Sequence, residues 1–242
     1  MTFQFILFTA SIAAGVIAAI SGFGIGSVLT PVVSTQIDTK LAVAIVSIPH
    51  LIGTFFRFVR LKRFVNRPVA LTFGIASAIG GLLGAVLNAY ASAASLAYVF
   101  GALLVFAGLS GITGLAERME LKGPWRSIGG FMSAAFGGLV GNQGGIRFAA
   151  MIGFDLSKQS FVATATVIAL VVDGARIPVY FATQHDGIFR SWTIVLIATA
   201  GVLAGTFAGT RLLDRIAERV FKRVVSLLVL GLGIFMLIRA GS

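Results

Sequence analysis

Apolar runs about as long as a bilayer is thick follow one another along this chain with only short interruptions, and few folds are open to such a sequence. A helix needs roughly 20 residues to cross a hydrocarbon core about 30 Å thick, and at that depth every backbone N–H and C=O must be paired within the protein. Helical spans meet that condition, and the alternating strands of a membrane barrel are absent from the sequence. The runs predict spans over 41–59, 68–90, 96–115, 157–181, 192–212 and 224–238. Composition agrees, because 57% of the 242 residues are hydrophobic and only 11% are charged, whereas a soluble domain carries about 25% charged residues. The expected class is an all-α polytopic membrane protein.

The net charge of +11 is a statement about topology. The bases sit in short loops between apolar runs and form no basic domain, so nucleic acid is not an expected partner. Arg57, Arg60, Lys62, Arg63 and Arg67 form one cluster, Arg118, Lys122 and Arg126 a second, and Arg211, Arg215, Arg219, Lys222 and Arg223 a third. The positive-inside rule makes all three cytoplasmic and leaves the turns at 88–95 and 185–190 outside. If Arg126 lies inside and the span from Ser157 starts inside, then 127–156 must enter the membrane and return to the same face. By the same count 2–36 is a hairpin that starts and ends outside, and both termini are extracytoplasmic. The alternative is that the first helix crosses fully and the glycine-rich segments are loops. No basic residue precedes Lys40, so the first segment reads as a retained part of the fold and not as a cleaved signal.

Elements recur at an offset of roughly 118–121 positions, the pattern of duplicated transporters. Lys40 corresponds to Lys158, Gly26 to Gly144, Arg57 to Arg176 and Gly84 to Gly205. The expected organisation is a first repeat over 1–115, a cytoplasmic linker over 116–126 and a second repeat over 127–242. Each repeat is a re-entrant or broken helical hairpin followed by three transmembrane helices, and the odd number of crossings inverts the two repeats.

The expensive residues lie in Phe136–Phe148, F-G-G-L-V-G-N-Q-G-G-I-R-F. Each glycine there costs roughly 1 kcal/mol of helix propensity, and an arginine at membrane depth costs about 2.5–3.5 kcal/mol or more. A broken helix aims free N–H groups and a partial positive charge at whatever lies beyond it, which is an anion site. Gly22, Gly24, Gly26 and Ser27 form one candidate tip, and Asn142, Gln143, Gly144 and Gly145 the other, with Arg147 just beyond. The competing reading is that glycines only permit close helix packing, and it is the preferred one for Gly80, Gly84, Gly201 and Gly205. Arg147 could instead pair with Asp173. Arg57 and Arg176 stand near span ends and either snorkel or function. Asp173 is a candidate for proton coupling or a neutralising partner of Arg176, and His50 either gates, titrates or sits hydrogen-bonded in the core. A Ser27–His50 protease arrangement lacks an oxyanion site. No carboxylate pair, Walker loop or metal-ligand cluster is present in the sequence, so neither an enzyme, a cofactor nor an ATP-driven pump is expected, and the lack of cysteine excludes thiolate chemistry.

Duplicated apolar halves that open with S-G-F-G-I-G-S-V-L-T-P-V-V and G-L-V-G-N-Q-G-G-I-R resemble the sulfite exporter TauE/SafE family of secondary transporters over nearly the whole chain. Members commonly carry three adjacent glycines at each break; Ile25 and Gln143 depart from that pattern. The resemblance implies a prokaryotic inner-membrane permease for sulfite, sulfoacetate or a related sulfur-containing or organic anion, coupled to an ion, H+ or Na+. A membrane scaffold or accessory subunit and an anion channel are the alternatives, and a homodimer is as compatible with the sequence as a monomer.

Overall fold

A computed structural model describes residues 2–118, 121, 123–142, 147, 150–151, 154, 156–212 and 218–241, apart from the side chains of 116–117 and 218–222. All regular structure among them is helical: α1 (Thr2–Ser21), α2 (Ile25–Val33), α3 (Thr39–Leu61), α4 (Arg67–Tyr90), α5 (Ala93–Thr113), the single turn α6 (Leu115–Arg118), α7 (Trp125–Val140), α8 (Lys158–Arg190), α9 (Trp192–Leu212) and α10 (Glu218–Gly241). Among the described residues seven helices are long and apolar enough to cross a membrane. Six correspond to the expected spans, and the seventh is α1, whose 20 residues reach about 30 Å.

Local signals set most of the boundaries. Asn66 caps α4 through the Val69 N–H with Pro68 in the first turn, Ser92 caps α5, and Ser157 caps α8 as the sequence predicts. Two boundaries differ. Helix α3 starts at Thr39, two residues before the expected 41, because Asp38 caps it, its carboxylate accepting the Leu41 N–H at 3.0 Å. The polar run after Phe181 is no simple turn: α8 continues to Arg190 across a kink at Gln184, where φ is −140°.

The helices are inverted relative to soluble ones. In α4 the inward face is Ser77, Gly80, Gly81, Gly84, Ala85 and Asn88, while Leu71, Ile75, Ile79 and Leu82 face out. An apolar exterior of this extent suits lipid and not water, and the small inner residues let backbones approach where no hydrophobic effect drives helices together. A Cβ on Gly84 would run into the Ala135 carbonyl of α7, and one on Gly205 into the Ile12 carbonyl of α1. The packing reading of those two glycines is therefore what the structure shows.

The principal packing partners lie across the midpoint of the sequence. α1 packs on α9 and α7 on α4; α3 packs on both α8 and α9, α4 on α8, and α5 on α10. Near the start of the chain, a cavity of about 390 Å³ is lined by Thr2, Phe3 and Ile6 of α1 and by Pro31, Val32, Thr35 and Gln36 at the end of α2. The chain thus turns back after Ser21 and brings Gln36 beside Thr2.

Candidate functional site

The first break begins where α1 stops. Gly22 adopts φ 85°, a left-handed conformation that glycine enters without Cβ strain, and its N–H closes the helix on the Ala18 carbonyl at 2.9 Å. Gly24, at φ 126°, then opens α2 with no side-chain cap. The last carbonyls of α1 are buried and carry the negative end of the helix dipole, so they need a cationic donor. Arg57 of α3 supplies it: Nη1 donates to Ala18 O at 2.6 Å, Nη2 to Gly22 O at 3.4 Å, and Nε to Thr166 Oγ1 of α8 at 2.7 Å.

The second break repeats the device. Gly141 adopts φ 79° and its N–H returns to the Gly137 carbonyl at 3.0 Å. Arg176 Nη1 donates to Gly137 O at 2.5 Å, the Tyr180 hydroxyl donates to Gly138 O, and Asn88 Nδ2 donates to Leu139 O at 2.8 Å. Three successive terminal carbonyls of α7 are thus each met by a side chain. Arginine, glycine and carbonyl all recur at one spacing, since 176 against 57, 141 against 22 and 137 against 18 each differ by 119. Arg57 and Arg176 are both 1% exposed, so neither snorkels; both are helix caps.

The halves differ three residues before each arginine. Asp173, fully buried, takes Arg176 on Oδ1 (Nε at 2.9 Å and Nη2 at 2.8 Å) and His50 Nδ1 of α3 on Oδ2 at 2.7 Å. The matching position in the first half is Thr54, whose buried hydroxyl has no hydrogen-bond partner. The single buried carboxylate among the described residues is therefore engaged by α8 and α3 together, and it does not pair with Arg147.

The two breaks meet. Ser27 Oγ donates to Asn142 Oδ1 at 3.1 Å across the midpoint of the chain, and a Cβ on Gly26 would collide with the Gly141 carbonyl. Gly26 and Ser27 are thereby brought against Gly141 and Asn142, whereas Gly22 lies against Ala165 and Gly24 against Ile17. Gln143, Gly144 and Gly145 lie outside the described residues, as does most of the helix expected after them. Arg147 is described: it is 2% exposed, and its Nε and Nη2 are buried with no hydrogen-bond partner among the described residues. It lies within electrostatic reach of Asp173, Arg176 and Arg57. Among the described residues three buried guanidiniums stand against one buried carboxylate, a net of +2 with His50 neutral. Isolated buried charge of this kind is costly until something neutralises it, and every nitrogen of Arg57 and Arg176 already faces a carbonyl, hydroxyl or carboxylate oxygen.

The sequence profile of the family described as Sulfite exporter TauE/SafE matches residues 7–236. The chain belongs to this family. No curated protein and no solved structure matches it. As a TauE/SafE protein it is a multi-pass membrane transport protein and not an enzyme, which accounts for a buried positive cluster with neither nucleophile nor carboxylate pair. Sequence reasoning about this TauE/SafE chain missed Tyr180, Asn88 and Thr166. Tyr180 stands one turn beyond Arg176 on the same face, a signal the spacing could have offered; Asn88 and Thr166 act on partners far along the chain and left none.

Proposed function

We propose that this chain is a secondary carrier that moves sulfite, or a related sulfur-containing or organic anion, by alternating access between two inverted repeats. In this reading it sits in a prokaryotic inner membrane with both termini outside, and 2–36 and 127–156 are the hairpins whose tips form the site. The exchange of partners supports the repeats: α1 with α9 mirrors α7 with α4, and α3 with α9 mirrors α8 with α4. The observation that carries the proposal is Arg147, a buried guanidinium whose Nε and Nη2 have no hydrogen-bond partner among the described residues, beside two breaks whose arginines have every nitrogen engaged. A planar donor fork of this kind matches an oxyanion edge. A scaffold would gain nothing from that arrangement.

The test is sulfite uptake into proteoliposomes. Uptake by the wild type is expected to saturate, and Arg147→Gln to lower it at least tenfold, consistent with losing a charge-assisted contact worth about 1.5–3 kcal/mol. Saturable uptake unchanged in Arg147→Gln would refute the site, and uptake that never saturates would replace the carrier by a channel.

A further inference from the structure

We propose that the ion coupled to transport is a proton, that it binds Nε2 of His50, and that it moves in the same direction as the anion; this rests on the carrier reading above. Asp173 looks at first like the proton site, but its geometry is against it. Both of its oxygens are occupied, Oδ1 by Arg176 and Oδ2 by His50, and its side chain has no exposure while that of His50 keeps 10%. An ionised carboxylate can only accept, so His50 Nδ1 carries the hydrogen of that 2.7 Å contact. The neutral ring then presents Nε2 as a lone pair on the more accessible member of the pair.

The surroundings give the proton its sign. Facing His50 are Asp173 and Arg176 on α8 and Arg57 on its own helix, with Tyr180 beside Arg176 and Arg147 in reach of the same carboxylate. α1 and α2 carry no titratable side chain, α9 has only the exposed Arg211, and α5 only the exposed Tyr98. A proton on Nε2 takes the buried charge from +2 to +3, which favours an anion; by linkage the anion raises the proton affinity of His50 by the same factor. When the anion leaves, three guanidiniums repel the imidazolium and the proton follows it. No group of three acidic or imidazole side chains lies together among the described residues, and the sole buried carboxylate there already takes Arg176 and His50.

The chain has two histidines, and His185 is exposed at the far end of α8. In the His185→Gln protein, histidine-labelled for NMR, the one remaining imidazole is His50. Its titration midpoint is expected to rise by about one pH unit or more on adding sulfite, a tenfold linkage; an unchanged or lowered midpoint overturns the proposal. In proteoliposomes enclosing a pH-sensitive dye, at alkaline pH where sulfite is a dianion, wild-type sulfite entry should carry protons inward. His50→Gln, which keeps a donor toward Asp173 but has no Nε2 lone pair, should bind sulfite about tenfold more weakly, the same linkage read from the other side, and at saturating sulfite should exchange it without moving protons. Proton entry that persists in His50→Gln, or outward proton movement in the wild type, contradicts the inference while leaving the carrier intact. A wild type that neither binds nor moves sulfite instead removes the carrier reading and this inference with it.

Discussion

The two helix breaks are built alike and used differently. In each, a glycine near φ +80° ends a helix and an arginine from the following long helix holds its terminal carbonyls. The first break has Arg57 and, on the helix end itself, the Ser21 hydroxyl within reach of the Ile17 and Phe23 carbonyls. The second adds Asp173 beneath its arginine, Tyr180 and Asn88 on the neighbouring carbonyls, and Arg147 beyond the tip. The same device is thus plain on one side and elaborated on the other, and the elaboration is where buried charge goes unmatched.

The comparison breaks most visibly at its arginines. Arg176→Ala removes the cap and strands a buried carboxylate, which costs about 3–5 kcal/mol. Arg57→Ala removes an equivalent cap with no carboxylate behind it, and about 1.5–3 kcal/mol is expected. Thermal unfolding in detergent reads both; equal losses, or a larger loss for Arg57→Ala, would deny the asymmetry. Next comes the contact between the breaks, where Gly26→Ala drives a Cβ into the Gly141 carbonyl. Overpacking there should cost about 1–3 kcal/mol and pull the tips apart, and a melting temperature equal to the wild type would show that they do not touch. The smallest effect belongs to Ser27→Ala, which deletes the 3.1 Å bond to Asn142 for about 1 kcal/mol.

How far the sequence reaches is decided by where each partner lies. Spans could be read from run length, and the breaks from the cost of glycine and arginine in an apolar setting. Ser157, Pro68 and the packing glycines announce themselves through local chemistry. Arg57 and Arg176 do not, because their acceptors are backbone carbonyls, which have no residue type and so leave no mark in a sequence. Both therefore read as snorkelling or gating residues when they are caps. The end of α8 was obscured for a related reason: T-Q-H-D-G looks like a turn, yet a kink confined to Gln184 lets the helix carry on to Arg190. Arg147 stood out because nothing nearby in sequence could neutralise it, and among the described residues the fold supplies no partner for its Nε and Nη2 either.

The central claim is that Arg147 is held for an anion and the other two buried arginines for the helices. Sulfite-dependent stabilisation tests it most directly, since a ligand bound only by the native state raises its melting temperature. The account predicts that Arg147→Gln melts at or above the wild-type temperature without sulfite and gains nothing from it, whereas Arg57→Ala melts lower and is still stabilised. Sulfite stabilising Arg147→Gln as much as the wild type would contradict it.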